Sequence, residues 1–435
     1  MSCYFPQKRY INNDHTLVPT RSLMIVSCSF FYSSLPPMLF FSLLGGIAGF
    51  MFLVLIHELG HFLAAKWRGV KVLEFGMGIP PRLFRMRQDK SGTEYTLNAI
   101  PLGGFVRLKG EDPKNPDDFN APDSFMSASF VSKTIVLLAG IIVNIFFGWL
   151  ALTIVFFVGS TPLFVLPDNA MPSHVHSYVY PSIGMLRDEG RITGEVETPG
   201  ALIREVLSGG LAASGGLMSG DLITKIDDHP VTSLSLQRIL AGRIGQSFVV
   251  HYERNNTSGQ ITMSCPPDHC LLGIMIDSTP LPDFTIRFGL GRAMVEAGRE
   301  IRNQFVMTVG VLGQLFTNLF TFQKEELKED VEKLSGPVGA MRIFVMIGEL
   351  GNVSQFVQFL ALISLALGIF NLLPIPALDG GRLLGVIIQS GLRLTKEKYF
   401  TIEGYINFFF FVLLMGLGIW LIFKDLARFW GVTLW

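Results

Sequence analysis

Four stretches of this chain carry no charged side chain: Met38 to Ile56, Thr134 to Val158, Val353 to Leu378 and Tyr405 to Phe423. Each is long enough to cross a hydrocarbon core of about 30 Å as a helix. A backbone in lipid must satisfy its own hydrogen bonds, which a helix does within each run. Composition agrees, since 49% of the 435 residues are hydrophobic, 37 are Phe and only 16% are charged. The chain reads as an α-helical polytopic membrane protein with about four transmembrane helices. A fifth apolar stretch, Phe305 to Phe322, carries Thr308, Gln314, Thr317, Asn318 and Thr321 and is expected to lie at the interface as an amphipathic helix.

The net charge is zero, and with no basic block or stacking motif the chain gives no reason to expect nucleic acid as a partner. Cys3, Cys28, Cys265 and Cys270 are too few for a disulfide scaffold and lack the paired CxxC spacing of a structural zinc site. Cys265 and Cys270 either form one bridge, if their domain lies outside the cytoplasm, or remain free thiols. Residues 1–37 place Lys8, Arg9 and Arg21 before a short apolar run ending in SSLPP, like the first regions of a signal peptide, but no small-residue cleavage site follows. A flexible extension, or a start at Met38, fits equally well.

Basic residues outnumber acidic ones between Lys66 and Lys133, and the loop after the third span adds Arg382, Arg393, Lys396 and Lys398. The positive-inside rule puts both loops in the cytoplasm, and residues 159–352 on the other side. The resulting division is an N-terminal extension (1–37), a first part of the membrane core (38–158), an extracytoplasmic connector (159–198), a β-rich module (199–280), an amphipathic helical connector (281–352) and a second part of the core (353–435).

The module opens with ALIREVLSGGLAASGGLMSGDLITKIDDHPVTSLSLQRIL, which reads as strand, Gly-rich turn, short helix, strand, turn and helix, and continues with the alternating strands QSFVVHYER and GQITMSC. This resembles a PDZ domain, most specifically in GLMSGDLITKIDDHPV. Such domains bind an extended peptide by adding it to a sheet edge, and Leu202, Ile203 and Arg204 are expected near that groove. The plainer alternative is a small β domain that shields the membrane site.

Within the first span lies LVLIHELGHFLAAKW, where His57, Glu58 and His61 form HExxH. On a helix the two histidines face the same way and can share one metal ion, while Glu58 is rotated by about 100° from His57, beside the metal, where a general base belongs. Ionisable groups deep in a bilayer each cost about 2.5 to 3.5 kcal/mol on insertion scales, so three within five positions require a compensating ion or cavity. A catalytic zinc takes three protein ligands and keeps one position open. The third candidate is Asp379 in LGIFNLLPIPALDGGRLL, where Pro374 and Pro376 break the helix, since irregular backbone at membrane depth survives only around a buried or water-lined site. Spans one and three run in the same direction if Phe305 to Phe322 does not cross, which brings the histidines and Asp379 to the same leaflet.

HExxH in a first span with NLLPIPALDG in a later one is similar to the site-2 protease family of intramembrane zinc metalloproteases, and within it to the PDZ-containing RseP-type branch. GMGIPPRLFR, YTLNAIPLGGFVRLKGE, VLLAGIIVNIFFG and LSGPVGAMRIF extend the resemblance over nearly all of Met38 to Trp430. It implies zinc held by His57, His61 and Asp379, with Glu58 as catalytic base. It further implies Asn371 and Asn144 as polar residues near the active site and its substrate, Asn371 to bind the substrate backbone and Asn144 to support the fold or the cleft, with an interhelical hydrogen bond as the alternative for Asn144. The Gly103/Gly104 turn of PLGGFV is then part of a membrane-associated β-hairpin that clamps an extended substrate. The implied substrates are single-span membrane proteins in the bilayer of the cell's inner membrane, such as an anti-sigma factor or a remnant signal peptide, with the zinc site toward the cytoplasm and the PDZ domain outside. Residues 1–37 have no counterpart in the family, and one PDZ domain stands where some relatives carry two. The rival class is a non-catalytic metal-dependent PDZ scaffold or a zinc-handling membrane protein, against which the clustering of polar groups toward one leaflet and the presence of Glu58 both speak.

Overall fold

The structure, a computed structural model, describes residues 37–111, 120–165, 175–190, 200–206, 210–232, 235–254, 257–266, 270–276, 285–321, 336–350, 352–392 and 395–429, with positions 323, 331 and 334. The extension before Pro37 lies outside them. In chain order the elements are α1 (Pro37–Trp67), β1 (Val72–Gln88), β2 (Glu94–Leu108), α2 (Phe130–Val158), α3 (Ile183–Asp188), β3 (Ala201–Val206), α4 (Leu211–Gly215), β4 (Leu222–Ile226), β5 (His229–Pro230), α5 (Leu236–Ala241), β6 (Ser247–Arg254), β7 (Thr257–Ser264), β8 (Ile274–Ile276), α6 (Leu290–Phe320), α7 (Pro337–Leu350), α8 (Val353–Leu372), α9 (Asp379–Leu392) and α10 (Lys396–Phe429).

Among the described residues four helices are long and apolar enough to cross a membrane: Leu44–Trp67, Phe130–Val158, Val353–Leu372 and Thr401–Ala427. They match the four expected spans, and α6 is not one of them. Local signals set their ends. Ser129 caps α2 by accepting from the Ser132 N–H, and Asn352 caps α8 by accepting from the Ser354 and Gln355 N–H groups. The third span stops at Leu372, six residues before the expected Leu378, because Leu373 takes an extended conformation (ψ 144°) ahead of Pro374. The apolar helix α7, packed on α1 and α10, was not resolved by the sequence reading within its 281–352 connector.

Between α1 and α2 the chain forms a sheet. The β1 and β2 register breaks around Pro80–Pro81 and around Pro101–Gly103, so two strands become four segments lying side by side in the order 82–88, 94–98, 72–77 and 104–108. Gly103, at φ +103°, provides the second bend. The expected Gly103/Gly104 turn is therefore a bend inside β2, while the tip of the hairpin is Asp89–Thr93, where Asp89 Oδ1 accepts from the Ser91 and Thr93 amides. Segment 104–108 is the sheet's edge on the side of α1. Buried Glu74 ties the segments together, accepting from Thr96 Oγ1 at 2.8 Å and from Arg82 and Arg107 at 3.0 Å each.

The connector at 159–198 contributes to a core rather than merely linking elements. Leu163, Tyr178, Val179, Ile183 and Leu186 pack with Phe156 of α2, Phe288, and Ala293 and Ala297 of α6.

In the β-rich module the strands follow the expected sequence, with sheet order β7-β6-β4-β3-β8, and β5 on β4. Ile203, Ile223, Ile226, Phe248 and Val250 fill its core. Cys265 and Cys270 are disulfide-bonded, Cα to Cα 5.0 Å, so the first of the two alternatives holds for them. The placing of a groove at Leu202, Ile203 and Arg204 needs correction. Their strand β3 is paired with β4 on one side and β8 on the other, and Ile203 is buried. Among the described strands the open edge on that side belongs to β8.

Candidate active site

The histidines sit on the last turns of α1, where the helix axis separates them by four residues and aims both rings at α2. That approach needs a gap in α2, and Gly140 supplies it: a Cβ there would fall 2.4 Å from His61 Nε2 and 2.9 Å from His57 Nε2. Gly60 performs the converse service on α1, since a Cβ there would meet the Ala139 carbonyl at 2.6 Å. Small residues on both faces let the helices close on each other, as in other membrane helix pairs.

Asp379 comes from the far side of the sequence, at the first position of α9, just beyond the broken end of α8. Gly380 and Gly381 allow the fold-back, as side chains at either would collide with the Leu372 and Ile375 carbonyls. The result brings His57 Nε2 to 3.0 Å from Asp379 Oδ2, His61 Nε2 to 3.2 Å from the same oxygen, and the two Nε2 atoms to 3.2 Å from each other. Both histidines are buried, and these three residues are the one such group of potential metal ligands among the described residues.

The donor set fits a metal ion. His61 Nδ1 donates to the Val136 carbonyl at 2.7 Å, which fixes the tautomer and leaves a lone pair on Nε2. His57 Nδ1 faces the Asn144 amide at 3.3 Å. Two ring lone pairs and a carboxylate oxygen at mutual distances near 3 Å repel unless a cation or a shared proton lies among them, and a tetrahedral zinc with bonds of about 2.0–2.1 Å requires ligand separations only slightly larger.

Glu58 lines a cavity of about 190 Å³ with His61, Phe105, Val106, Leu108, Glu111, Val136, Leu137, Asp379 and Arg382. Segment 104–108 forms one wall. The Val106 backbone of this segment hydrogen-bonds the Glu58 carboxyl, and at Gly104 a Cβ would lie 3.1 Å from the Gly76 carbonyl, 3.3 Å from Leu55 and 3.5 Å from Glu58 Cγ, so this glycine lets the strand run close beside α1. Arg382, one turn after Asp379, pairs with Glu111 at the end of the sheet. That pair also borders a second cavity of about 640 Å³, which reaches α10.

The two asparagines separate. Asn144 is fully buried against His57, so it faces a ring and not a substrate path. Its Oδ1 has no hydrogen-bond partner with the amide as placed. An amide has nearly the same shape either way round, and with the carbonyl toward the ring Oδ1 accepts from His57 Nδ1–H, which leaves the ring's Nε2 lone pair for a metal. Asn371 is half-buried near the end of α8 and donates to the Leu367 carbonyl one turn back, at 3.0 Å. Sequence reasoning missed Arg382, Glu111 and Asn407. The first lies in the DGGR run and the second in RLKGE, but nothing in one dimension pairs residues separated by 271 positions.

The pattern of peptidase family M50 matches residues 45–417. A protein of Nostoc sp. named as a zinc metalloprotease is 30% identical over 398 residues, covering 89% of this chain and 96% of its own length. The chloroplastic membrane metalloprotease ARASP of Arabidopsis thaliana is 29% identical, over 89% of this chain and 79% of its own. Protease RseP of Yersinia pestis is 27% identical, over 89% and 99%. With the matched region spanning both halves of the membrane core and every residue of the convergent site, the chain belongs to peptidase family M50, the family of the site-2 proteases that its HExxH and LDG motifs resemble.

Proposed function

We propose that this chain is an intramembrane zinc metalloprotease that cleaves single-span membrane proteins in or near their transmembrane segments. The observation that carries the reading is the meeting of His57 and His61, in the membrane-length α1, with Asp379, just beyond the broken end of the membrane-length α8, at mutual distances of 3.0–3.2 Å, with Glu58 lining the adjoining cavity. His57, His61 and Asp379 would hold the zinc, which when bound would supply a Lewis acid for the peptide carbonyl and lower the pKa of its water to about 7. Glu58 takes the proton from the attacking water and returns it to the leaving amine. Segment 104–108 offers a strand edge beside that carboxylate, on which an unwound substrate can pair its backbone. Pairing of this kind stabilises the extended form that a helical substrate must adopt before its carbonyl is accessible. Asn371, at the mouth of the broken helix, is suited to a polar contact with the substrate backbone.

The β-rich module works as a PDZ domain in this reading, its peptide extending the sheet at β8. The Cys265–Cys270 bridge supports an oxidising compartment for it, and in this reading the zinc site lies toward the cytoplasmic face of the inner membrane. Substrates already trimmed outside the membrane, anti-sigma factors or remnant signal peptides, match such an arrangement.

The test is cleavage of a tagged single-span substrate by the purified, detergent-solubilised protein, wild type against Glu58→Gln, with bound zinc measured in both. The expected result is lost cleavage with retained zinc. Equal cleavage by the two proteins would eliminate the mechanism, and a scaffold would bind zinc yet cleave in neither form.

A further inference from the structure

The turn that carries Asp379 contains a residue in an unusual conformation. Ala377 has φ +75°, the left-handed region that a residue with a Cβ avoids unless its surroundings hold it there. The turn's other hydrogen bonds are internal: Ile375 N–H to Leu373 O, Leu378 N–H to Ile375 O and Arg382 N–H to Leu378 O. The Ala377 N–H instead reaches across to α10, where Asn407 Oδ1 accepts it at 3.0 Å. Asn407 is the only amide side chain in the otherwise apolar run YINFFFFVLLMGLGIWLIF, a position where an amide is costly without a partner.

The rest of α10 makes this contact stand out. None of the apolar window of its span is buried, and at this end it borders the 640 Å³ cavity that Asn407 itself lines. The helix is fixed at its opposite end, where Asp425 Oδ2 accepts from the Gly336 and Gly339 amides at 3.0 and 2.9 Å, and Lys424 Nζ donates to the Val331 and Leu334 carbonyls. The bond from Asn407 to Ala377 is thus a tie between a loosely packed helix and the backbone two residues before a metal ligand.

We propose that Asn407 is a positioning residue for Asp379, holding Ala377 in its left-handed conformation so that the carboxylate stays over the two histidine nitrogens. The inference rests on the assignment of Asp379 as a zinc ligand. Without the acceptor, Ala377 relaxes toward a common backbone conformation and the carboxylate at 379 swings with it. A glycine at 377 accepts the left-handed conformation unaided, so the dependence on Asn407 should shrink in that background.

The experiment is a zinc-affinity titration against a competing chelator dye, on the full-length protein in detergent, with monodispersity checked for every variant. Asn407→Leu should weaken zinc about tenfold, within the range for loss of an outer partner of a metal ligand, while Asn407→Asp, which keeps an acceptor oxygen, stays close to wild type. Asn407→Ala serves the same comparison if the leucine variant does not fold. In an Ala377→Gly background, removal of the acceptor should cost markedly less. Wild-type affinity in Asn407→Leu or Asn407→Ala, or the same loss in both backgrounds, overturns the proposal, the latter because a mere packing role would not sense residue 377. Asp379→Ala separates the two levels. Unchanged affinity there sinks the ligand assignment, whereas weakened zinc in Asp379→Ala beside unchanged zinc in the Asn407 variants overturns only the role of Asn407.

Discussion

Replacing Gly140 by alanine adds a single methyl group to α2, and the structure sets what it meets. The new Cβ lies 2.4 Å from His61 Nε2, 2.8 Å from His57 Cε1 and 2.9 Å from His57 Nε2, against 3.4 Å where ordinary contact begins. Relief therefore demands a shift of about 1 Å at the ligand nitrogens. The His61 ring cannot slide freely, because Nδ1 is bound to Val136 of the same helix α2. The helices cannot close up elsewhere, because Gly60 already brings α1 against the Ala139 carbonyl. A misplacement of about 1 Å costs on the order of 100-fold in rate at a site that depends on orientation, and here it strikes two of three ligands together. Gly140→Ala should lose zinc on dialysis and fall at least about 100-fold in cleavage of a single-span substrate. Gly416→Ala, in α10 with nothing within 4 Å of its Cβ, is the control for helix-propensity effects and should behave as wild type. Full zinc content and wild-type cleavage in Gly140→Ala would refute the claim that this glycine makes room for the ligand rings.

Other perturbations test separate contacts. Asn144→Leu removes the partner of His57 Nδ1 and should weaken zinc about 10- to 100-fold, measured by chelator competition; unchanged affinity would show that the ring is oriented by packing alone. Glu300, buried on α6, accepts from the Tyr178 amide at 2.6 Å, and burial pushes its carboxyl from 4.5 up to about 7. Its folded-state value is raised, so its contribution, on the order of a few kcal/mol, is complete below about pH 4.5 and lost as pH rises through about 7. Glu300→Gln should flatten the pH dependence of the melting temperature across that window, and an unaltered profile would assign the dependence to other groups. Arg382→Gln leaves Glu111 without its cation and should cost about 1 to 2 kcal/mol, discounted for partial exposure of the pair. Glu111→Gln in the same chain should restore most of that loss, and a purely additive double variant would mean that the pair contributes little.

The parts of the molecule legible in the sequence are those whose physics is local. Spans announce themselves by uncharged length, the HExxH pair by helical periodicity, and the helix break at Pro374 and Pro376 by the chemistry of proline. The convergence of Asp379 with the histidines was also within reach, because the direction of each span follows from counting crossings. What failed depended on lateral order. Strand alternation identified β3, but that β4 and β8 flank it on its two sides is a matter of sheet order, which alternation does not encode, and so the groove was expected near Leu202, Ile203 and Arg204 while the open edge lies one strand further out. Asn144 was legible only through the resemblance, as a polar residue near the active site or a maker of an interhelical hydrogen bond, and its particular partner was not. Its contact with the back of His57 depends on how α2 is rotated, which a uniformly apolar helix leaves undetermined.

Asn407 shows where that limit falls most sharply. Its place in an apolar span says that a partner must exist, since an amide in lipid needs one. The partner is a backbone N–H 30 residues earlier, at a position whose need for an acceptor arises only from its left-handed conformation, and alanine gives no sign of that in a sequence. A search for side-chain partners of lone polar residues in spans will overlook such ties. Searching instead for the strained backbone positions near a break, and asking which neighbouring helix brings an acceptor to them, is the route by which the structure exposes them.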